Sequence, residues 1–415
     1  MVRSVSGPGR SVGPNHRRLG SWVAVVVALA LAATPPALII GKSLLPVPSS
    51  PQVPFVATPE CGRPSVDKAA SGRRGAVAFA QLPGRVLDTD GRLEIYGAPI
   101  YKARGTFELV TVHLDRVDSW LGLDLARSDC RVDLFNRRQI LGDPPPKSPS
   151  PPPSKPSVAD EGRQLMSASK DLAIYVALHA LDLPVVVHDG GVVIESFCLA
   201  GPEVACARVA PIGKLLRVGD IVTEIDGVTV GLAPDIAPII AKRRSGDLVQ
   251  VRALRGAKEV VTLAPLTSDN DGNAILGVTP GSLLPVTTRF DYPFEVSIDS
   301  GSVGGPSAGL AFTLALIDAL SPGELTGGRR VAATGEVTAA GRVAAIGGIR
   351  QKTIAVRDAG TAVFLVPKSQ ESDAKQAAAG SSLAVYGVAN LDDALAVLAD
   401  LGGDRLPRGP EQPTS

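Results

Sequence analysis

Ser307 and Lys352 are the two side chains of this 415-residue sequence whose types and surroundings fit nucleophilic chemistry. Ser307 stands in Gly304-Gly305-Pro306-Ser307-Ala308-Gly309, a small-residue loop that opens into the apolar run LAFTLALIDAL. About 45 residues later, Gly347-Gly348 opens a second predicted helix that carries Lys352. A serine hydroxyl attacks a carbonyl when a base takes its proton. The nearest upstream histidine is His188, in a separate predicted module, and none follows Ser307. A Ser-His-Asp arrangement within the C-terminal domain is therefore excluded. Lysine acts as a base only when neutral, and apolar, water-poor surroundings lower its pKa towards working pH. Val343-Ala344-Ala345-Ile346-Gly347-Gly348 precedes Lys352 and Thr353-Ile354-Ala355-Val356 follows it, an apolar setting for an amine. Taken singly, each motif also has an ordinary reading: Pro-Ser as a helix cap, lysine as a surface residue.

The positioning elements follow from pattern. Phe294–Ile298 alternates as a strand, and the Gly/Ser-rich stretch Asp299–Gly305 follows it. Pro306 suits the first turn of a helix. The helix after it is apolar nearly all round, so it is buried. Free backbone N–H groups at its start favour a developing oxyanion. The Lys352 helix ends near Ala359-Gly360, and Thr361–Pro367 reads as a strand.

Three ordered stretches, DSGSVGGPSAGLAFTLALIDAL, ATGEVTAAGRVAAIGGIRQK and AGTAVFLVP, resemble the proteolytic domain of Lon proteases over about residues 270–400. The resemblance implies Ser307 as nucleophile and Lys352 as general base, with Thr334 orienting the lysine. It implies backbone amides near Ser307 as an oxyanion hole, with Gly304, Gly305 and Ala308 in the oxyanion and substrate loop. Asp299 and Glu336 take supporting places. No cofactor and no metal are implied. The sequence departs from the ATP-dependent enzymes at Gly304-Gly305, where an acidic residue and glycine are frequent. No GxxxxGK[ST] phosphate loop occurs, so energy-driven unfolding by this chain, and ATP as a partner, are not expected.

Residues 184–267 change character. PVVVHDGGVVIESF gives a strand, a glycine turn and a second strand, and Asp226-Gly227 marks a tight turn between β-rich runs. Ile236–Lys242 is a short predicted helix, and a hairpin closes around Arg255-Gly256. LRVGDIVTEIDGVTV with this helix and hairpin resembles the PDZ modules attached to proteases. The resemblance implies strand addition of an extended peptide, with His188, Gly190, Gly191 and Val192 in the loop that receives a peptide terminus. Spacing or gating of the next domain is the alternative role.

Gln164–Leu181 reads as a helix with Leu165, Leu172, Tyr175 and Val176 on one face. Ser169-Lys170 lies in it. Adjacent helix residues point about 100° apart, so this pair is not a dyad of its own and reads as surface. Short strand-like runs occur at Ala76–Gln81, Leu93–Tyr96 and Phe107–Leu114. The last alternates as if its sheet were covered on both faces.

Arg3, Arg10, Arg17 and Arg18 precede an uncharged run from Gly20 to Gly41. About 20 such residues cross a hydrocarbon core, and the arginines place the N-terminus in the cytoplasm. Pro35-Pro36 interrupts the run, which leaves a cleaved signal peptide open as the alternative. Either reading puts the bulk of the chain outside the cytoplasm. Cys61, Cys130, Cys198 and Cys206 lack metal-site spacing. Cys198 with Cys206 and Cys61 with Cys130 are the expected disulfides in an oxidising compartment, isolated buried thiols being the alternative. Net charge is +1, which implies no nucleic-acid partner.

The expected architecture is multidomain α+β. It comprises a cytoplasmic tail (1–19), a transmembrane anchor (20–41), an extracytoplasmic β-rich region (42–142) and a Pro-rich linker (143–160). A helix (161–183), a PDZ domain (184–267), an α/β Lon-type proteolytic domain (268–402) and a disordered tail (403–415) complete it. The layout resembles the membrane-anchored PDZ–Lon proteins of bacteria. The expected function is an ATP-independent, membrane-bound serine endopeptidase acting on peptides or unfolded protein segments. A catalytically idle peptide-binding scaffold is the rival reading. Lon proteolytic domains tend to form rings, so a homo-oligomer is an expected but open partner state.

Overall fold

The computed structural model describes residues 77–118, 126, 129–136, 158–200, 208–269, 271–280 and 284–406. The expected anchor (20–41), most of the Pro-rich linker, Cys61 and Cys206 lie outside them. The chain forms two compact units, one of residues 1–80 with 114–144 and one of residues 81–113 with 145–415. In the smaller unit the strand Asp133–Asn136 follows a turn in which Arg131 pairs with Asp129 at 2.8 Å. Cys130 in this unit and Cys198 in the other are each disulfide-bonded.

The larger unit is mixed α+β. Its helices are α1 (Val158–Ala180), α2 (Ile236–Ile240), α3 (Gly309–Leu320), α4 (Ile349–Asp358), α5 (Glu371–Ala377) and α6 (Leu391–Asp400). Within this unit one sheet runs in the order Ala384–Val388, Val363–Pro367, Arg330–Ala333, followed by the parts of strands Thr106–Arg116 and Val77–Asp88 that fall within residues 81–113. Its first four strands are mutually parallel. Parallel neighbours need crossovers, which α4 and α5 supply between successive strands. Side chains on a strand alternate between faces, and the burial follows that alternation. Phe107, Leu109, Val331 and Leu365 join Leu310, Phe312 and Leu314 of α3 and Ala173 and Ala177 of α1 in one core. Val110, Ala332, Phe364 and Val366 join Ile349 and Val356 of α4 and Ala374 of α5 in the other. The sheet is therefore buried on both faces.

This corrects the expected separation of 42–142 from the 268–402 domain. The Thr106–Arg116 strand pairs with Arg330–Ala333, with Ala332 opposite Glu108, and Leu93–Tyr96 pairs with Glu295–Ile298. The physical reason is the open edge of the three C-terminal parallel strands, which needs a partner for its backbone groups. Glu108, 4% exposed, receives hydrogen bonds from Arg330 Nε at 2.7 Å and Thr361 Oγ1 at 2.6 Å. A buried carboxylate is tolerable only when paired in this way.

Three boundaries also move. Helix α1 begins at Val158, inside the expected linker, with Asp160 and Glu161 complementing the dipole of its first turn. Residues 403–406 are docked rather than disordered: Gly403 N–H donates to the Leu398 carbonyl and Glu324 N–H donates to Asp404 Oδ2. The module sheet extends past residue 267, in the order Lys258–Pro265, Leu248–Arg255, Ile221–Ile225, Val192–Ser196, Thr279–Pro280. Its own core includes Val192, Ile194, Val222, Ile225, Val249 and Val251. Asp226 (φ 49°) and Gly227 (φ 82°) form the tight turn that the sequence marks. Val186–His188 does not hairpin with Val192–Ser196; it pairs instead with Arg289–Asp291.

Because Phe107 is 1% exposed within the core that contains α3, Phe107→Ala should destabilise the larger unit by about 3–5 kcal/mol. Chemical denaturation followed by a probe in the C-terminal residues checks this; an unchanged midpoint would show the Thr106–Arg116 strand to be dispensable there.

Candidate active site

Three elements converge at the carboxyl edge of the parallel strands, where open α/β sheets place their ligands. Arg330–Ala333 ends at Thr334, whose N–H donates to the Leu365 carbonyl of the neighbouring strand. Gly335 N–H then donates to the Ser307 carbonyl at 3.0 Å, and Leu310 N–H donates to the Gly335 carbonyl at 3.1 Å. These bonds tie the strand end to the short 3-10 turn Pro306–Ala308 that leads into α3. Gly305 before the turn has φ 86°, a conformation that glycine adopts without strain. Helix α4 supplies the amine. Lys352 sits in its first turn, with its N–H bonded to the Gly348 carbonyl at 2.9 Å. Gly348 has φ 70°, and a Cβ there would lie 2.8 Å from Val112 Cγ1. Conformation and crowding thus both require the second glycine of Gly347-Gly348.

Lys352 Nζ lies 2.6 Å from Ser307 Oγ and 3.0 Å from Thr334 Oγ1. Thr334 Oγ1 in turn donates to the Ser307 carbonyl at 3.0 Å. The threonine proton is thereby committed, so its oxygen accepts an N–H from the lysine. A neutral amine that gives one N–H to Thr334 can turn its lone pair to the serine hydroxyl. Lys352 is 2% exposed and Thr334 0%, whereas Ser307 is half-buried and open to a substrate. Burial lowers the lysine pKa from its ordinary 10.5 to about 7, because desolvation penalises the ammonium form. The arrangement provides an activated oxygen nucleophile with a base tuned to neutral pH.

The other expected residues are distributed around this centre. Ala308 is buried under the turn, and Gly304 and Gly305 form the loop leading into it. Asp299 is exposed, and its Oδ1 accepts the Gly301 N–H at 2.8 Å, which shapes the start of that loop. Glu336 lies on the Glu336–Val337 strand, two residues after Thr334, opposite Ala344.

The expected peptide-receiving set divides. His188 Nε2 lies 2.8 Å from Asp291 Oδ2 across the Val186–His188 pairing, and Gly190 packs against the Gly231 backbone. Gly191 and Val192 line a groove of about 850 Å³ between α2 and residues 274–280. Ile236, Leu276 and Val278 give that groove apolar walls, and Arg244 and Arg342 border it. Sequence reasoning missed the 274–280 side. The available signal was the short apolar segment between Pro280 and the Asp269–Asn273 turn, in which Asp269 Oδ1 accepts two backbone N–H groups. It also assigned Ser169 and Lys170 to the surface. Ser169 is 4% exposed and bonded to the Pro306 carbonyl, and Lys170 is half-buried and bonded to the Ile298 carbonyl. No helix among the described residues is long and apolar enough to cross a membrane, and none of their His, Cys, Asp and Glu side chains cluster as a metal site.

Residues 292–399 match the Lon protease (S16) C-terminal proteolytic domain. The chain is 34% identical over 135 residues to a Lon protease of Clostridioides difficile (strain 630), covering 30% of this chain and 17% of that protein. It is 38% identical over 170 residues to Lon protease 1 of Sorangium cellulosum (strain So ce56), covering 40% and 20%. The chain thus spans a fifth or less of the length of these curated relatives. Among solved structures, the PDZ domain of an SdrC-like protein from Listeria monocytogenes is 26% identical, with a TM-score of 0.19, covering 23% of this chain and 90% of that one. The C-terminal part of the chain is a serine peptidase domain of Lon type.

With Lys352 as base, activity should rise as pH increases through about 7, since only the unprotonated amine accepts the Ser307 proton. A rate profile between acid and neutral pH measures this. A flat profile, or a midpoint near the ordinary lysine value, would remove the buried amine from the mechanism. Lys352→Met should lower turnover by roughly 10²–10⁴-fold, the range for loss of a general base.

Proposed function

We propose that this chain is an ATP-independent serine endopeptidase with a Ser307–Lys352 dyad, held at the outer face of a bacterial membrane and acting on flexible protein segments. The observation that carries the reading is the 2.6 Å contact between Ser307 Oγ and a lysine buried to 2% exposure. In the reaction, neutral Lys352 takes the Ser307 proton as Oγ bonds to a peptide carbonyl carbon. The carbonyl oxygen becomes an oxyanion held by backbone N–H groups. Lys352 then returns the proton to the leaving amine as the C–N bond breaks, which leaves an ester on Ser307. Lys352 next takes a proton from water as that water attacks the ester. The serine oxygen leaves with the proton and the acid product departs.

ATP independence fits a 415-residue sequence without a GxxxxGK[ST] loop. Membrane attachment rests on the uncharged run of residues 20–41, preceded by arginines. An oxidising location agrees with the disulfide bonding of Cys130 and Cys198. Residues 184–280 act as a PDZ module. The groove between α2 and residues 274–280 receives an extended apolar segment, and its position beside Arg342 of the peptidase domain suits substrate selection.

A fluorophosphonate probe reacts with an activated serine by forming an Oγ–P bond and releasing fluoride. Labelling should map to Ser307, vanish in Ser307→Ala and fall sharply in Lys352→Ala. A folded wild-type protein that takes no label is the result that overturns the reading in favour of an idle scaffold.

A further inference from the structure

We infer that Ser169 of α1 is a positioning residue for the oxyanion-binding edge of Ser307, an inference that rests on the proposed nucleophile. Ser169 Oγ donates to the Pro306 carbonyl at 3.0 Å, across 137 residues of sequence. That carbonyl belongs to the peptide unit whose N–H is the backbone amide of Ser307. A trans peptide is planar, so fixing the carbonyl at one edge fixes the direction of the N–H at the other. The amide of the attacking serine is the donor closest to an oxyanion formed at its own Oγ, and such donors act only when aimed beforehand.

The Pro306 carbonyl also accepts the Gly309 N–H. The next carbonyl, that of Ser307, accepts from Thr334 Oγ1 and from Gly335 N–H, each at 3.0 Å. Both peptide planes that meet at the Ser307 Cα therefore carry two donors. Thr334 pins the plane that follows and Ser169 the plane that precedes. The sequence motifs account for the first and are silent on the second.

Helix α1 holds the rest of the loop as well. Gly305 N–H donates to the Gly162 carbonyl at 2.8 Å. A Cβ on Gly304 would lie 3.2 Å from the carbonyl carbon of Gly162, so the two backbones touch there. Lys170 Nζ donates to the Ile298 carbonyl at 3.2 Å, at the opposite end of the 299–305 stretch. One helix thus grips the nucleophile loop before it, along it and at the reactive residue. A serine inside a helix ordinarily turns its hydroxyl back to its own backbone. Ser169 instead spends it on the loop, and at 4% exposure water does not compete for that bond.

The test measures the rate of fluorophosphonate labelling of Ser307 against probe concentration and pH, in the full chain. In Ser169→Ala the maximal labelling rate should fall about tenfold or more, a part of what loss of one oxyanion donor costs. The half-saturating probe concentration and the pH midpoint set by Lys352 should stay at the wild-type values. Ser169→Thr, which keeps the hydroxyl, should recover most of the rate. A wild-type maximal rate in Ser169→Ala, or Ser169→Thr no faster than Ser169→Ala, overturns the inference. So does a fall accompanied by shifts in half-saturation and midpoint, which marks general loosening. A wild-type chain that does not label at Ser307 fails the proposed function itself, a result distinct from all of these.

Discussion

An amine that has lost its water is the constraint from which the rest of this molecule can be understood. Lys352 is 2% exposed, and burial is what lowers its pKa to about 7. Keeping it neutral depends on keeping both water and compensating charge away from it. The fold meets this by setting Lys352 on α4, which also carries Ile349 and Val356 into a core shared with Phe364 and Val366. The partners that Nζ contacts, Ser307 and Thr334, are neutral hydroxyls. A carboxylate in their place would favour the ammonium form and remove the base. The dry sheet is therefore part of what keeps Lys352 neutral.

The same requirement explains why residues far apart in sequence build one domain. Three parallel strands from residues 330–388 would leave the Arg330–Ala333 strand as an edge, and Thr334, the residue that follows it, contacts the lysine. An edge strand admits water to its backbone groups. The Thr106–Arg116 strand covers that edge and makes Arg330–Ala333 an interior strand. Its Val112 also crowds Gly348, the residue from which α4 starts. The N-terminal strands thus shape the position of the base as well as the stability of the core.

The legible part of the sequence was the local part. The small-residue loop before an apolar run indicated a serine at a buried helix start, and α3 is buried from Gly309 to Asp318. The glycine pair before Lys352 indicated a second helix start, and Gly348 is that cap. Asp226-Gly227 indicated its turn. Illegible were the pairings that cross long sequence distances. Leu93–Tyr96 was visible as a strand, yet nothing in those four residues names Glu295–Ile298 as its partner. Val186–His188 reads as a strand before a glycine turn, yet its three residues do not name Arg289–Asp291 as its partner. Ser169 and Lys170 read as surface residues because helical periodicity says which face a residue occupies and not what packs against that face.

Helix α1 shows how much depended on that missing partner. Its apolar face, with Ala173, Ile174 and Ala177, packs in the core of α3, so the helix is fixed by burial before any polar contact forms. A rigid helix can then place a hydroxyl and a carbonyl on a loop that has few side chains of its own. The glycines that let the loop turn at Gly305 also deprive it of packing, and glycine-rich backbone loses the most freedom on ordering. External hydrogen bonds from α1 and from Thr334-Gly335 offset that loss. The nucleophile loop can therefore stay open to an incoming chain on one side and be held still from the other.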